Sequence, residues 1–260
     1  MRPIWRPLAA LLALALLAGC AAGTMPGETR ARETPGVDRP ATKAEINTQL
    51  AVAYLAQNRP DLALTKLQRA LEEEPNLPAA HHTMALLRAR LGEDKLAEEH
   101  FRRAISLDPQ NPEAHNNFGV FLCGRDRFPE AQKEFEAALA NPLYRTPALA
   151  LENAGLCAQR AGNTEQAEDY FRKALGYNAR LPKSLLQMAF ISFDRAQYSV
   201  AQDYVNRYSK VAPHSAASLW LGIRTARALG DQDQAASYAL LLRANFPDSE
   251  ERKLLEAEGQ

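Results

Sequence analysis

The stretch Ala114–Leu139, AHNNFGVFLCGRDRFPEAQKEFEAAL, decides the fold. It reads as two short amphipathic helices parted by a polar break at Gly124-Arg125-Asp126-Arg127. Phe118, Gly119 and Leu122 share one stripe of the first helix, and Ala131, Phe135 and Ala138 share one of the second. Apolar residues three or four apart fall on one face of a helix with 3.6 residues per turn. Two helices this short cannot bury those faces between themselves, so the unit needs neighbours of its own kind.

Working outward, the neighbours appear at a fixed step. The small residue of the second helix recurs at Ala63, Ala97, Ala131, Ala167, Ala201 and Ala235, in steps of 34, 34, 36, 34 and 34. Four places later stand Leu67, Phe101, Phe135, Phe171, Val205 and Ala239, and three further on Ala70, Ala104, Ala138, Ala174, Tyr208 and Leu242. A proline closes most units: Pro75, Pro109, Pro142 (one place early), Pro213 and Pro247. This period, with its A-x3-F-x2-A pattern, is the tetratricopeptide signature. The expected fold is all-α: a right-handed superhelical solenoid of six tetratricopeptide repeats over residues 43–247, with residues 248–260 as a polar capping segment. Ala51, Ala85, Gly119, Gly155 and Ala189 mark the place where the two helices of a unit cross closely. Gly92, Gly162 and Gly230 fit left-handed helix ends, and Pro78, Pro112 and Pro182 open first helices, where a missing N–H does no harm. The two extra residues near Leu143-Tyr144-Arg145-Thr146 predict a longer loop there, and Glu72-Glu73-Glu74 reads as a solvated helix end.

The N-terminus has a different character. Arg2 and Arg6 precede an apolar run, Leu8–Ala18, that is too short to span a bilayer, and residues 1–19 read as a secretory leader. The leader ends in Leu17-Ala18-Gly19-Cys20, which resembles the lipobox of bacterial lipoproteins. That resemblance implies that Cys20 is lipidated and becomes the mature N-terminus. Ala21 after it, in place of Asp, implies sorting to the periplasmic face of the outer membrane of a Gram-negative bacterium. Several acyl chains exceed the two signals that stable attachment requires. Residues 20–42 read as the lipidated cysteine and a flexible linker rich in Gly, Pro, Thr and charge, spanning on the order of 26 Å.

Charge and cysteine content narrow the function. Basic and acidic residues balance at 31 each, so there is no basic footprint for nucleic acid. With Cys20 lipidated, Cys123 and Cys157 remain, near the ends of the first helices of repeats three and four. A disulfide between them is expected in an oxidising compartment; the alternative is two buried thiols packing as small hydrophobes. His81 and His115 are 34 apart and occupy one repeat place, which favours packing over metal binding. His82, His100 and His214 have no ligand-type residue at metal spacing, and HExxH, G-x-S-x-G, P-loop and GxGxxG are all missing. The sequence therefore predicts a non-enzyme with no metal, no cofactor and no small-molecule substrate.

What remains is surface. The ninth residue of each repeat faces the concave side: Val52, Leu86, Val120, Leu156, Phe190 and then Arg224. With Leu55, Leu186 and Phe193 the apolar members form a candidate partner-binding groove, the alternative being that they belong to the core. Lys and Asn of the kind that clamp a peptide carboxylate are not expected on this face. An apolar groove suits an amphipathic helix or an extended hydrophobic segment of another protein.

Longer strings carry a family resemblance. Asn116-Asn117-Phe118-Gly119-Val120-Phe121-Leu122 with Phe128-Pro129-Glu130-Ala131, and Glu152-Asn153-Ala154-Gly155-Leu156, resemble the PilF/PilW family of type IV pilus biogenesis lipoproteins. So do Ser218-Leu219-Trp220-Leu221-Gly222-Ile223-Arg224, Ala235-Ala236-Ser237-Tyr238-Ala239-Leu240-Leu241 and Phe246-Pro247. The resemblance implies a pilotin: a lipoprotein that binds secretin subunits, carries them to the outer membrane and promotes their multimerisation for pilus biogenesis and twitching. It also implies a hydrophobic secretin contact near the first repeats, at Val52, Leu55 and Leu86. The other readings are a scaffold for peptidoglycan enzymes and a subunit of outer-membrane protein insertion machinery.

Overall fold

The computed structural model describes residues 39–258. The leader, Cys20 and most of the linker lie outside these residues. The described residues form thirteen helices and no strand. In chain order they are α1 (Lys43–Ala56), α2 (Pro60–Glu73), α3 (Pro78–Arg90), α4 (Asp94–Leu107), α5 (Pro112–Cys123) and α6 (Phe128–Ala140). They continue with α7 (Pro147–Arg160), α8 (Thr164–Tyr177), α9 (Pro182–Asp194), α10 (Tyr198–Ser209), α11 (Ala216–Ala228), α12 (Gln232–Asn245) and α13 (Glu250–Ala257). The first twelve are six antiparallel pairs, the tetratricopeptide arrangement.

Each pair is held where its helices cross. Ala63, Leu67, Ala70 and their counterparts Ala97, Phe101, Ala104 and Ala131, Phe135, Ala138 are buried. Opposite Phe135 stands Gly119, where an added Cβ would lie 2.8 Å from the ring; at Gly155 it would lie 2.6 Å from Phe171. The glycine thus lets a large ring sit directly on the backbone of the partner helix. Burying each such ring contributes roughly 1.5–3 kcal/mol. In the sixth repeat the sequence phase slips. The ring over Gly222 is Tyr238, at 2.8 Å from the added Cβ, and not the side chain of Ala239 that the alignment of repeats places there. Gly222 and Tyr238 keep the glycine-to-aromatic interval of the other two repeats, one residue earlier in the unit.

All six first helices end in the same left-handed turn. Gly92, Gly162 and Gly230 have φ of +76°, +78° and +78°, and Asn58, Asp126 and Ala196 take the same place at +58°, +59° and +57°. Only the glycines are signalled by residue type. Asn and Asp tolerate this conformation through short polar side chains, whereas Ala does not. At Ala196 the turn is enforced by backbone bonds from Ala196 N–H to Phe193 O (2.8 Å) and from Gln197 N–H to Ser192 O (2.9 Å).

Stacking follows one rule along the chain. Each first helix touches the next first helix, and each second helix touches the first helix of the following pair. The backbones of successive second helices stay further apart, and α4 reaches α6 through side chains, Arg102 lying 3.8 Å from Glu130. The row of first helices is therefore the inner, concave side of the curve. Between repeats three and four the loop 141–146 is longer than the preceding inter-repeat loops, and its Tyr144 folds back against Ala138 and Ala150. Beside this change of phase Cys123 and Cys157 form a disulfide, with their Cα atoms 5.8 Å apart, tying the ends of α5 and α7 together. The two ends of the stack differ. At the far end α13 packs on α11 and α12 and buries Leu255, while at the near end Ile46 and Leu50 of α1 are exposed.

Two outcomes are expected. Ala196→Gly removes the left-handed penalty at an exposed site and should stabilise the protein by about 0.5–1 kcal/mol, read as a rise in Tm. Reducing the disulfide frees a closed loop of 34 residues and should cost about 2–4 kcal/mol in denaturant unfolding, an effect absent from a Cys123→Ser, Cys157→Ser variant.

Candidate functional site

The concave side carries two parallel tracks, one apolar and one polar. The apolar track is the ninth place of each repeat. Val52, Leu86 and Val120 are 53%, 37% and 44% exposed, so in repeats one to three these side chains point into solvent. The next members are half-buried. Leu156 and Leu186 pack against the central core, Phe190 and Phe193 against the C-terminal core, and Leu55 against the N-terminal one. The stripe of eight expected from sequence thus divides: three side chains stand open, and five belong partly to the core. Which members the core takes depends on packing against other helices, which no single-repeat pattern reveals.

The polar track lies about one turn from the stripe on the same helices. The side-chain amide of Asn117 donates to His82 Nε2 at 2.9 Å, linking α5 to α3. Asn116 donates to Asn117 Oδ1 at 3.3 Å, and Asn153 of α7 donates to Asn116 Oδ1 at 3.1 Å. Gln159 of α7 then donates to Gln187 of α9 at 2.7 Å. This corrects the expectation that Asn is missing from this face. The cause is that half-buried amides bonding across helices leave no periodic mark in a sequence. Nearby, the buried carboxylate of Glu152 accepts both the backbone N–H (3.1 Å) and the hydroxyl (2.8 Å) of Ser184, pinning α7 to the first turn of α9.

The ninth place of repeat six breaks the apolar series. Arg224 is exposed, and its guanidinium lies 4.3 Å from the centre of the Phe193 ring. Among the described residues it has no ion pair and no side-chain hydrogen bond. Asp194, next to Phe193 in the chain, is also exposed and makes no ion pair among the described residues.

The histidines behave as structural ties. His81 meets His100 of α4 through their Nδ1 atoms at 2.9 Å, and its Nε2 donates to the carbonyl of Pro75 at 3.0 Å. One repeat on, His115 repeats the design: Nδ1 meets Glu134 at 2.6 Å and Nε2 the carbonyl of Pro109 at 3.1 Å. Each ties a first helix to its own second helix and to the preceding proline turn. Burial, with the nearby His81 and Arg88 charges, pushes His100 down to about 4, and burial lowers His82. The hydrogen bond to Glu134 raises His115. No group of three or more His, Cys, Asp or Glu that could hold a metal ion occurs among the described residues.

Comparison with known proteins matches this architecture. The tetratricopeptide-repeat family model matches residues 48–112 and 124–184, and a second tetratricopeptide-repeat model matches residues 100–133. The type IV pilus assembly protein PilF of Pseudomonas aeruginosa is 34% identical over 210 residues, covering 81% of this chain and 83% of that protein. An uncharacterised protein of Haemophilus influenzae is 36% identical over 134 residues, 52% of this chain and 73% of that one. Among solved structures, that of Pseudomonas aeruginosa PilF superposes with a TM-score of 0.79 at 33% identity, covering 83% of this chain and 97% of the other. The crystal structure of PilW, a widely conserved type IV pilus biogenesis factor, superposes with a TM-score of 0.73 at 34% identity, covering 83% and 99%.

The histidine geometry fixes a pH response. His82 and His100 have folded values below the 6.5 of the unfolded chain, so their contribution is full above 6.5 and is lost as pH falls through those lowered values, about 4 for His100. His115 has the opposite sign: its contribution is present below 6.5 and is lost as pH rises through its raised folded value. Tm should fall between pH 7 and pH 5 on the ordinary histidine scale, His100→Gln should flatten that fall, and His115→Gln should destabilise more at pH 6 than at pH 8.

Proposed function

The chain belongs to the family of PilF and PilW, tetratricopeptide-repeat factors of type IV pilus biogenesis, and from that premise we propose that it is a lipid-anchored pilotin of the outer membrane. In this reading Cys20 carries the acyl chains that hold the protein at the periplasmic face. The concave groove binds secretin subunits, shields their apolar surface in transit and promotes their multimerisation. The observation that carries the reading is the open series Val52, Leu86 and Val120, three apolar side chains exposed at the same place of successive repeats. A folded surface gains nothing from leaving such a row in water. Covering it with a partner's apolar side chains releases free energy in proportion to the area removed from solvent.

The repeats supply the other requirement, which is rigidity. The disulfide between α5 and α7 and the amide bonds across α3, α5, α7 and α9 hold the first helices in fixed relation. A preformed groove binds without an ordering cost. Two acyl signals suffice for stable membrane attachment, so the lipid serves as address and the groove as grip.

The test uses side chains whose change cannot disturb the core. Val52→Glu with Leu86→Glu places charge on the exposed stripe. It should weaken co-purification of secretin by about tenfold or more, with helical circular dichroism unchanged. Cells carrying the double variant should show secretin as monomers on semi-denaturing gels and should lose twitching. Secretin multimers at the normal level in those cells would overturn the reading.

A further inference from the structure

We propose that the groove has a charged end, in which the guanidinium of Arg224, laid over Phe193, receives an acidic side chain from a partner segment whose apolar side chains cover Val52, Leu86 and Val120. The inference rests on the groove being the partner-binding face and adds the chemistry of its occupant: an apolar run closed by Asp or Glu.

Position is the first argument. Five repeats place Val, Leu, Val, Leu and Phe at the ninth residue, and the sixth places Arg224 there. A ligand that follows the stripe across the stack therefore meets a cation where it leaves the last repeat. The state of that cation is the second argument. Arginines at or just past first-helix ends are engaged by neighbouring elements, Arg227 of the same helix by Glu258. Arg90 bonds to the Leu55 carbonyl and to Asn58, Arg125 to Asp94, Arg160 to Asp126 and Arg195 to Glu168. Arg224, in the middle of α11, has no such partner among the described residues and lies over the face of Phe193. Stacking on a ring restrains a guanidinium and leaves its in-plane N–H donors outward, in the fork that matches a carboxylate. The charge pattern of the face is the third. Glu113 is exposed on α5, and Lys183 is exposed on α9 with no ion pair among the described residues. Lys183 and Arg224 thus place two cations toward the last repeats, beside the exposed Asp194, which favours a segment with its carboxylates over repeats five and six.

The experiment measures fluorescence anisotropy of the full chain with dye-labelled, C-terminally amidated peptides of alternating Leu and Ser that end in Asp-Asp, Ser-Ser or Lys-Lys. The Asp-ended peptide should bind about fivefold tighter than the Ser-ended one and the Lys-ended peptide more weakly than both, a preference that shrinks as salt is raised. Arg224→Gln should erase the preference without unfolding the protein, and Arg224→Glu should turn it toward the Lys-ended peptide. Equal binding of the Asp- and Ser-ended peptides or a preference that survives Arg224→Gln would each overturn the proposal. Val120→Glu separates the two levels. If it abolishes binding of peptides that show no charge preference, the groove stands and only its charged end falls. If no peptide binds, or if binding is indifferent to Val120→Glu, the groove reading fails and the charged end fails with it.

Discussion

The structure depends on one contact, repeated: a large side chain of the second helix seated on a small residue of the first. Phe135 on Gly119, Phe171 on Gly155 and Tyr238 on Gly222 show it most plainly, since a methyl group at any of these glycines would press into the ring. The close approach sets the angle within a pair, and the angle sets which side of the pair is left for the next one. A solenoid is then a sum of identical local decisions, each repeat answering only to its neighbours. Curvature follows because the backbones of the inner helices come close along the row and those of the outer ones stay further apart.

Function grows from that curvature. The first helices have their second helices behind them and each other on either side, so the face left over is the concave one. It carries side chains that the core does not need. In repeats one to three these are aliphatic and open, in repeats four and five they lean into the core, and in repeat six an arginine takes the place. The amide row beside them fixes helix against helix through side chains, which leaves the backbone of each helix intact.

Much of this was legible in the residues. The Ala63-to-Ala235 series gave the repeat count and the positions of both helices, because a small residue under a crossing helix admits no substitute of larger size. The long loop at 141–146 and the glycine turns were readable for the same reason: each is a local demand with one chemical answer. Three things were not. Tyr238 escaped because the alanine series continued unbroken past it, although the interval from Gly222 to Tyr238 repeats that from Gly119 to Phe135. The turns at Asn58, Asp126 and Ala196 escaped because only glycine advertises a positive φ. The amides of Asn117 and Asn153 escaped because their partners sit on other repeats, and a hydrogen bond between repeats has no period to read.

The unlike ends of the stack carry a last consequence. Helix α13 closes the far end over Leu255, while α1 leaves Ile46 and Leu50 uncovered at the near end. Head-to-tail addition of one copy to another needs two complementary ends, and here one of them is sealed. End-on self-association through the open edge of α1 is therefore symmetric, front against front. Such an end-on contact closes as a pair.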